Sequence, residues 1–303
     1  MKEVIKKVWL DGEIVDYDKA NVSILTHSMQ YGSGIFEGIR AYNTKKGPAI
    51  FRIDDHIQRF FNSAKIYSMK LGFSKDEIKK AIEEVIRVNN LSDCYIRPFA
   101  FYNDDSIGVA AYGKKVSVYI AAIPFGAYFS QRDLGIKCKV SSWHRISSEI
   151  LPVKAKASGN YLNSIIASNE AKACGFDEAI LISADGNVAE GPGENIFFVE
   201  DNKLITPDES ADILKGITRS TIIEIAEDKG IEVEERQVKR DELYLADELF
   251  FSGTAAEITP IVNVDGIAIS KGMGPITKIL SDSYFDIVHG NNPEFLYWLD
   301  FNV

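Results

Sequence analysis

Two short apolar runs, Val8-Trp9-Leu10 and Ile14-Val15, lie on either side of an Asp11-Gly12 pair near the start of the chain. This predicts a β-hairpin, because Asp-Gly tolerates the left-handed backbone of a two-residue turn. The period then changes. Ile57, Phe60, Phe61, Ala64, Tyr67 and Leu71 recur at helical spacing, predicting an amphipathic helix capped by Asp54 or Asp55, running to about Leu71, with Arg59 on its opposite face. A second helix is expected over 75–89 and strands near 95–101 and 116–122, so this half reads as α+β. Further on, the pattern predicts a strand at 136–142, a helix at 160–174 that Gly175 can terminate, and strands at 178–183 and 194–199 flanking an Asp185-Gly186-Asn187 turn. A helix is expected between Gly216 and Gly230, with closing strands at 248–252 and 261–269. No internal repeat is visible.

With 303 residues the chain suits two domains, at roughly 100 to 200 residues each. Pro124 and Gly126, set among Phe125, Tyr128 and Phe129, mark 124–133 as the interdomain loop between a first domain at 1–123 and a second at 134–303. An aromatic linker of this kind is expected to line a cleft.

Composition narrows the function. A net charge of −10, with basic runs no longer than pairs such as Lys79-Lys80, argues against a nucleic-acid binder. Residues 1–15 lack a sustained apolar core, and the longest apolar stretch, 116–129, is interrupted and too short for a bilayer. Neither a signal peptide nor a membrane partner is expected, and the cytoplasm is the default location. Cys94, Cys138 and Cys174 form no CxxC pair, and His27, His56, His144 and His289 show no HExxH spacing, so no metal site is expected.

Several segments carry candidate chemistry. Lys154-Ala155-Lys156-Ala157-Ser158-Gly159-Asn160-Tyr161 sets two lysines among small residues before a helix, and a lysine so presented is a candidate Schiff-base nucleophile. Lys154 and Lys156 share a strand face, so periodicity does not choose between them. Gly216-Ile217-Thr218-Arg219 offers an anion site at a helix N-terminus, and Gly253-Thr254-Ala255-Ala256-Glu257 repeats the logic after a strand. Glu190 precedes a Gly191-Pro192-Gly193 turn, where a carboxylate could face the nitrogen of a flat ring. Tyr95 and Arg97 share one strand face, with Arg97 suited to forked carboxylate recognition. Each segment alone also has a plain structural reading as a solvated lysine, a helix start, a hairpin or an ion pair. Gly32-Ser33-Gly34-Ile35-Phe36-Glu37-Gly38 has the wrong spacing for a dinucleotide loop, and no Walker A or GxSxG motif is present.

Taken together and in order, Tyr31 to Arg40, Tyr95-Ile96-Arg97-Pro98, the lysine segment, Glu190 to Asn195, Gly216 to Arg219, Ser252 to Pro260 and Trp298-Leu299-Asp300 resemble the branched-chain aminotransferases, class IV enzymes that use pyridoxal 5'-phosphate. The resemblance covers nearly the whole chain. It implies an α/β (α+β) two-domain fold of type IV, with a small N-terminal domain, a larger C-terminal cofactor-binding domain and the cofactor at their interface. It selects Lys156 as the lysine that bonds the cofactor and moves the proton. It assigns Glu190 to the pyridine nitrogen, Tyr161 to the phenolic oxygen, and Arg59, Ile217, Thr218 and Thr254 to the phosphate, with Gly193 and Asn195 shaping the turn beneath the ring. For substrate it implies Tyr95, Thr254 and Ala255 at the α-carboxylate and Tyr31, Phe36, Phe125 and Tyr128 around the side chain. Arg97, with Tyr31 and with Val109 from a second subunit, would take the distal carboxylate of glutamate.

The implied reaction is transamination of L-leucine, L-isoleucine or L-valine with 2-oxoglutarate, giving branched 2-oxo acids and L-glutamate, in a homo-oligomer that is at least a dimer, with a hexamer left open. Two positions depart from the bacterial pattern: Phe125 where Trp is usual, and Lys154 where a small residue is usual. A D-amino-acid transaminase, an amine transaminase and an aminodeoxychorismate lyase share the implied fold, and a non-catalytic cofactor-binding protein is the remote alternative. Phe36 to Arg40 and Tyr95 to Arg97 favour the branched-chain member.

Overall fold

The computed structural model describes residues 5–126, 128–129 and 134–303; positions 127 and 130–133 of the expected interdomain loop lie outside the described residues. In chain order the first half holds β1 (Lys7–Leu10), β2 (Glu13–Asp16), α1 (His27–Tyr31), β3 (Gly34–Phe36), β4 (Ile39–Thr44), β5 (Gly47–Phe51), α2 (Ile53–Ile66), α3 (Lys75–Val88), β6 (Cys94–Tyr102) and β7 (Val116–Pro124). The remainder holds β8 (Ile136–His144), α4 (Tyr161–Ala173), β9 (Glu178–Ile182), β10 (Val188–Glu190), β11 (Asn195–Glu200), β12 (Lys203–Pro207), α5 (Ile217–Asp228), β13 (Val233–Arg236), β14 (Glu248–Gly253), β15 (Glu257–Val264), β16 (Ile267–Ala268), α6 (Pro275–Val288) and β17 (Leu299–Asp300).

Two compact units emerge. The first comprises Met1–Gly126, Ala155–Gly159 and Asp286–Val303; the second comprises Ala127–Lys154 and Asn160–Phe285. Ala155–Gly159 of the lysine segment and Asp286–Val303 at the C-terminus, which the sequence pattern groups with 134–303, belong to the first unit. Their small and apolar residues explain why. Ala155 and Ala157 are buried in the first unit's core, and Ala157 bridges Ile35. At the C-terminus β17 pairs with β5, and the Arg52 N–H donates to the Trp298 carbonyl at 2.7 Å.

The first unit is built on an antiparallel sheet in the order β17-β5-β4-β6-β7-β1-β2, with β3 paired to β6. β6 and β7 pair along their full length, from Cys94↔Pro124 to Tyr102↔Val116. Alternate residues Ile96, Ala100, Val118, Ile120 and Ala122 enter a core that Ile57, Phe60 and Ala64 of α2 and Ile78, Ile82 and Val85 of α3 complete. A reciprocal Ser74/Glu77 capping box starts α3.

The second unit carries the order β10-β9-β8-β15-β14-β11-β12-β13, with β16 beside β15. β8 pairs in parallel with both β9 and β15, and β9 is buried at every position, as expected for a parallel strand covered on both faces. A further pairing, Glu190↔Asn195 between β10 and β11, closes six strands into a ring.

Several elements depart from the sequence pattern. α2 begins at Ile53 with Arg52 as its cap residue rather than at Asp54 or Asp55, and it ends at Ile66 rather than Leu71. Ser68 turns left-handed there (φ 56°) and the Met69 N–H folds back to the Ala64 carbonyl. The last long strand begins at Glu257 rather than 261, and α6, β3 to β5, β12 and β13 had no counterpart in the pattern. α6 takes its N-terminal partner from far away: both oxygens of buried Glu248 accept N–H bonds from Ile276 and Thr277, at 3.0 and 2.8 Å. Among the described residues no helix is long and apolar enough to cross a membrane.

Candidate active site

In the first unit, Lys156 is held by its backbone. Its carbonyl accepts the Phe36 N–H at 2.9 Å and its N–H donates to Ser63 Oγ at 3.0 Å, so β3 and α2 together fix the segment. The Lys156 amine stands 5.1 Å from the centroid of the Phe36 ring. Lys154 is different: its side chain is 73% exposed and pairs with Glu209 at 3.0 Å. Geometry therefore separates the two lysines that periodicity left equal.

The same Phe36 ring carries the Arg97 guanidinium 4.5 Å from its centroid, and Arg97 Nη2 donates to Tyr95 Oη at 2.9 Å. Phe125 joins them through the Tyr95 ring, centroid to centroid 5.2 Å. Gly38 lets this group form, because a Cβ there would collide with Tyr95 Oη. Tyr31 and Val109 make a second, exposed group: Tyr31 Oη donates to the Ile107 carbonyl and His27 Nε2 bonds the Val109 carbonyl at 3.1 Å. Tyr128 belongs to the second unit, where it is half exposed and packs edge-on against Phe129.

Arg59 faces inward. Glu37 is fully buried; its Oε1 accepts Arg59 Nε at 2.7 Å, and its Oε2 accepts Arg59 Nη2 at 2.9 Å and His56 Nδ1 at 2.7 Å. Burial alone would raise the Glu37 carboxyl, but the Arg59 charge and the bonds from Arg59 and His56 more than offset it and hold it well below the usual range. His56 is lowered, first by burial of its ring and then by the Arg59 and Lys156 charges, which together outweigh the bond and charge of Glu37. A carboxylate only accepts, so His56 Nδ1 carries the proton. His56, Arg59 and Ser63 thus form a polar seam along one edge of the apolar stripe of α2, with His56 and Ser63 buried, while the face opposite the stripe, Asp54, Asp55, Gln58, Asn62 and Lys65, is exposed.

In the second unit, Glu190 is buried at the ring-closing hairpin. Its Oε1 pairs with Arg145 Nε at 2.9 Å, and its Oε2 accepts from Asn195 Nδ2 and the Leu214 N–H, both at 3.1 Å. Three donors stabilise a carboxylate rather than a carboxylic acid. Asn195 also donates to the Leu214 carbonyl at 2.9 Å, tying Glu190 to the segment that opens α5. Gly216 is required by that contact, since a Cβ there would collide with Asn195 Oδ1. Gly216 is the cap residue of α5 and brings no capping side chain, and the first turn holds Ile217 and buried Thr218. The Gly253 turn, leading to Thr254 and Ala255, packs on the Gly193 carbonyl, 3.4 Å from where a Gly253 Cβ would lie. Tyr161 is the first residue of α4.

The second unit therefore ties Glu190, Asn195 and the segment that opens α5 to Arg145, and the first gathers Lys156 and Arg97 on the Phe36 ring, with Tyr95 and Phe125 beside Arg97, and sets Arg59 and His56 on Glu37. Arg145, Glu37, His56 and Ser63 were not assigned roles from the sequence. No local pattern marks Arg145, which follows β8, but His56, Arg59 and Ser63 recur at helical spacing as a polar stripe. Among the described residues no cluster suited to a metal ion is found.

The donor set fits pyridoxal 5'-phosphate. A helix N-terminus without a side-chain cap suits a phosphate, and a buried carboxylate suits a protonated pyridine nitrogen. At Gly193 a Cβ would meet open space and φ is not left-handed, so neither packing nor backbone requires glycine there, as expected where a ring approaches the chain.

Residues 34–264 match the model of the amino-transferase class IV family, and the chain belongs to that family. It is 46% identical over 294 residues to the branched-chain-amino-acid aminotransferase of Pseudomonas aeruginosa, covering 96% of this chain and 95% of that one. Its fold superposes with a TM-score of 0.94 on the branched-chain aminotransferase of the archaeon Thermoproteus uzoniensis solved with norvaline, at 47% identity over 97% of this chain and 98% of the other. The T.th. branched-chain amino acid aminotransferase, complexed with N-(5'-phosphopyridoxyl)-L-glutamate, gives 0.95 at 42% identity over 99% of each chain. Within the class IV family, then, the chain groups with the branched-chain aminotransferases, and its fold is type IV.

Two outcomes follow from the buried charges. Arg145→Met should destabilise the protein by about 3–5 kcal/mol in urea denaturation, because Glu190 loses its buried cation, and adding Glu190→Gln should restore part of that loss. Since His56 is lowered in the folded chain, the unfolded chain takes up its proton first, near pH 6.5, and stability present above that pH is lost as pH falls below it. His56→Asn should flatten the decline below about pH 6.5; an unchanged slope would count against this origin.

Proposed function

We propose that this protein transfers the amino group of L-leucine, L-isoleucine or L-valine to 2-oxoglutarate, giving branched 2-oxo acids and L-glutamate, with pyridoxal 5'-phosphate as cofactor. The observation that carries this reading is that one ring, Phe36, is shared by the Lys156 amine at 5.1 Å and the Arg97 guanidinium at 4.5 Å. A group suited to moving a proton and a group suited to a carboxylate thus border one apolar surface.

When bound, the cofactor supplies an electron sink for the pair left by the substrate's Cα–H bond. The chain supplies the rest. Lys156 Nζ takes the proton from Cα of the amino acid and, in the return half, restores one to the Cα derived from 2-oxoglutarate. Glu190 accepts the ring N–H and balances its positive charge. Ile217, Thr218, Thr254 and Arg59 hold the phosphate, Tyr161 holds the phenolic oxygen, and Gly193 and Asn195 shape the turn under the ring. Tyr95, Thr254 and Ala255 orient the α-carboxylate. Branched side chains lie against Phe36, Phe125, Tyr31 and Tyr128, whereas the distal carboxylate of glutamate reaches Arg97 and Tyr31.

The active assembly is a homo-oligomer, at least a dimer, in which Val109 of each subunit completes its partner's substrate site. Supporting this, Ile107, Val109 and Tyr112 are 78%, 77% and 89% exposed on one loop, an apolar surface that a second copy can cover. The free thiols Cys94, Cys138 and Cys174 suit a reducing, cytoplasmic location, which cell fractionation would test.

The deciding measurement is the visible absorbance of the protein with pyridoxal 5'-phosphate, before and after L-leucine and, in parallel, D-alanine. L-leucine is expected to convert the bound cofactor to its pyridoxamine form and D-alanine to leave it unchanged. Lys156→Ala should slow the conversion by at least about 10²-fold to 10⁴-fold, whereas Lys154→Ala should not. Conversion by D-alanine alone would sink the substrate assignment. In sedimentation the protein should run as a dimer or larger, and Val109→Asp with Tyr112→Asp should weaken the association; a monomeric, fully active wild type would refute the shared site.

A further inference from the structure

A buried ion pair is weak support for stability, since the cost of removing both charges from water cancels much of their attraction. The Glu37 cluster therefore calls for another use. Glu37 follows β3 and its backbone N–H is tied to the Pro98 carbonyl of β6 at 2.9 Å, so the carboxylate stands on the sheet rather than on a mobile loop. Arg59 grips it at two points and His56 at a third, while the Gly38 N–H adds a longer bond to Oε2 at 3.3 Å. Two parallel bonds fix the plane of a guanidinium, and with it the direction of every other N–H it carries. The His56 bond keeps the carboxylate from rotating, and a neutral ring does so without adding charge. Arg59 and His56 share one face of α2 with Ser63, whose Oγ receives the Lys156 N–H. One helix face thus sets both the arginine and the lysine.

We propose that Glu37 and His56 are positioning residues that hold the Arg59 guanidinium in the orientation that receives the cofactor phosphate. This rests on the assignment of Arg59 to the phosphate, and the two ideas part company under test. By charge alone Glu37 opposes an anion near Arg59, so its removal would tighten phosphate binding. By positioning, its removal loosens the guanidinium and weakens binding. The signs are opposite.

The experiment is titration of the cofactor-free protein with pyridoxal 5'-phosphate and, separately, with pyridoxal, which lacks the phosphate. Kd is read from absorbance, and a urea midpoint is recorded for each variant. Glu37→Gln is expected to raise Kd for the phosphorylated form by about tenfold or more, the scale of a hydrogen bond to a charged group, with Kd for pyridoxal unchanged. Arg59→Ala should show the same selectivity, and Glu37→Gln added to Arg59→Ala should weaken binding no further. His56→Asn, which keeps a donor toward Glu37, should retain more affinity than His56→Leu, and this pair serves if Glu37→Gln does not fold. An equal loss for both ligands would reduce Glu37 to a structural role, and an unchanged or tighter Kd while Arg59→Ala weakens binding would overturn the proposal. No effect of Arg59→Ala would remove the phosphate assignment itself.

Discussion

A carboxylate taken out of water must be partnered by charge and hydrogen bonds, or it does not stay ionised. Glu37 in one unit and Glu190 in the other are both in this position, and much of the local architecture answers to them. Arg145 just after β8, Asn195 on β11 and the Leu214 N–H converge on Glu190; Arg59 and His56 on α2 converge on Glu37. In both cases the partners stand on elements other than the carboxylate's own, so forming the charged site and packing the unit are one process. A core of aliphatic residues alone would tolerate small shifts of α2 or α5. These carboxylates do not.

The aromatic cluster depends on a different constraint, close approach. Gly38 gives up a side chain so that Tyr95 can pack against the chain, and Ala155 and Ala157 let the lysine segment sink beside β3. Phe36 then has Lys156 and Arg97 as neighbours, two cations on one ring. An apolar wall crossed by a cation suits a substrate pair in which one side chain is a hydrocarbon and the other an acid.

How much of this is readable from sequence depends on where each element's partners lie along the chain. The Asp11-Gly12 hairpin, α3 with its capping box, α4 before Gly175 and α5 after Gly216 are specified by neighbours, and local pattern finds them. It misplaces the start of α2 because Arg52 is held by the Trp298 carbonyl from the far end of the chain, and it misses α6 because the cap is Glu248. Candidate residues within motifs, such as Glu190, Asn195 and Thr218, are legible through their glycines. Arg145 is not, since nothing beside it in sequence announces that its partner Glu190 lies beyond α4 and β9. The stripe of His56, Arg59 and Ser63 is visible at helical spacing, but periodicity reports that a face is polar and not whether water reaches it.

Closure of the second unit's ring through the single pair Glu190↔Asn195 has a dynamic consequence. The residue whose main chain seals the ring is the one whose side chain meets Arg145, so local opening of this hairpin and loss of the carboxylate's alignment are one event with one free energy. Breathing that frees the Glu190 amide to solvent would also dissolve the site, and a molecule that braces Glu190 from within would slow exchange at backbone positions it never touches.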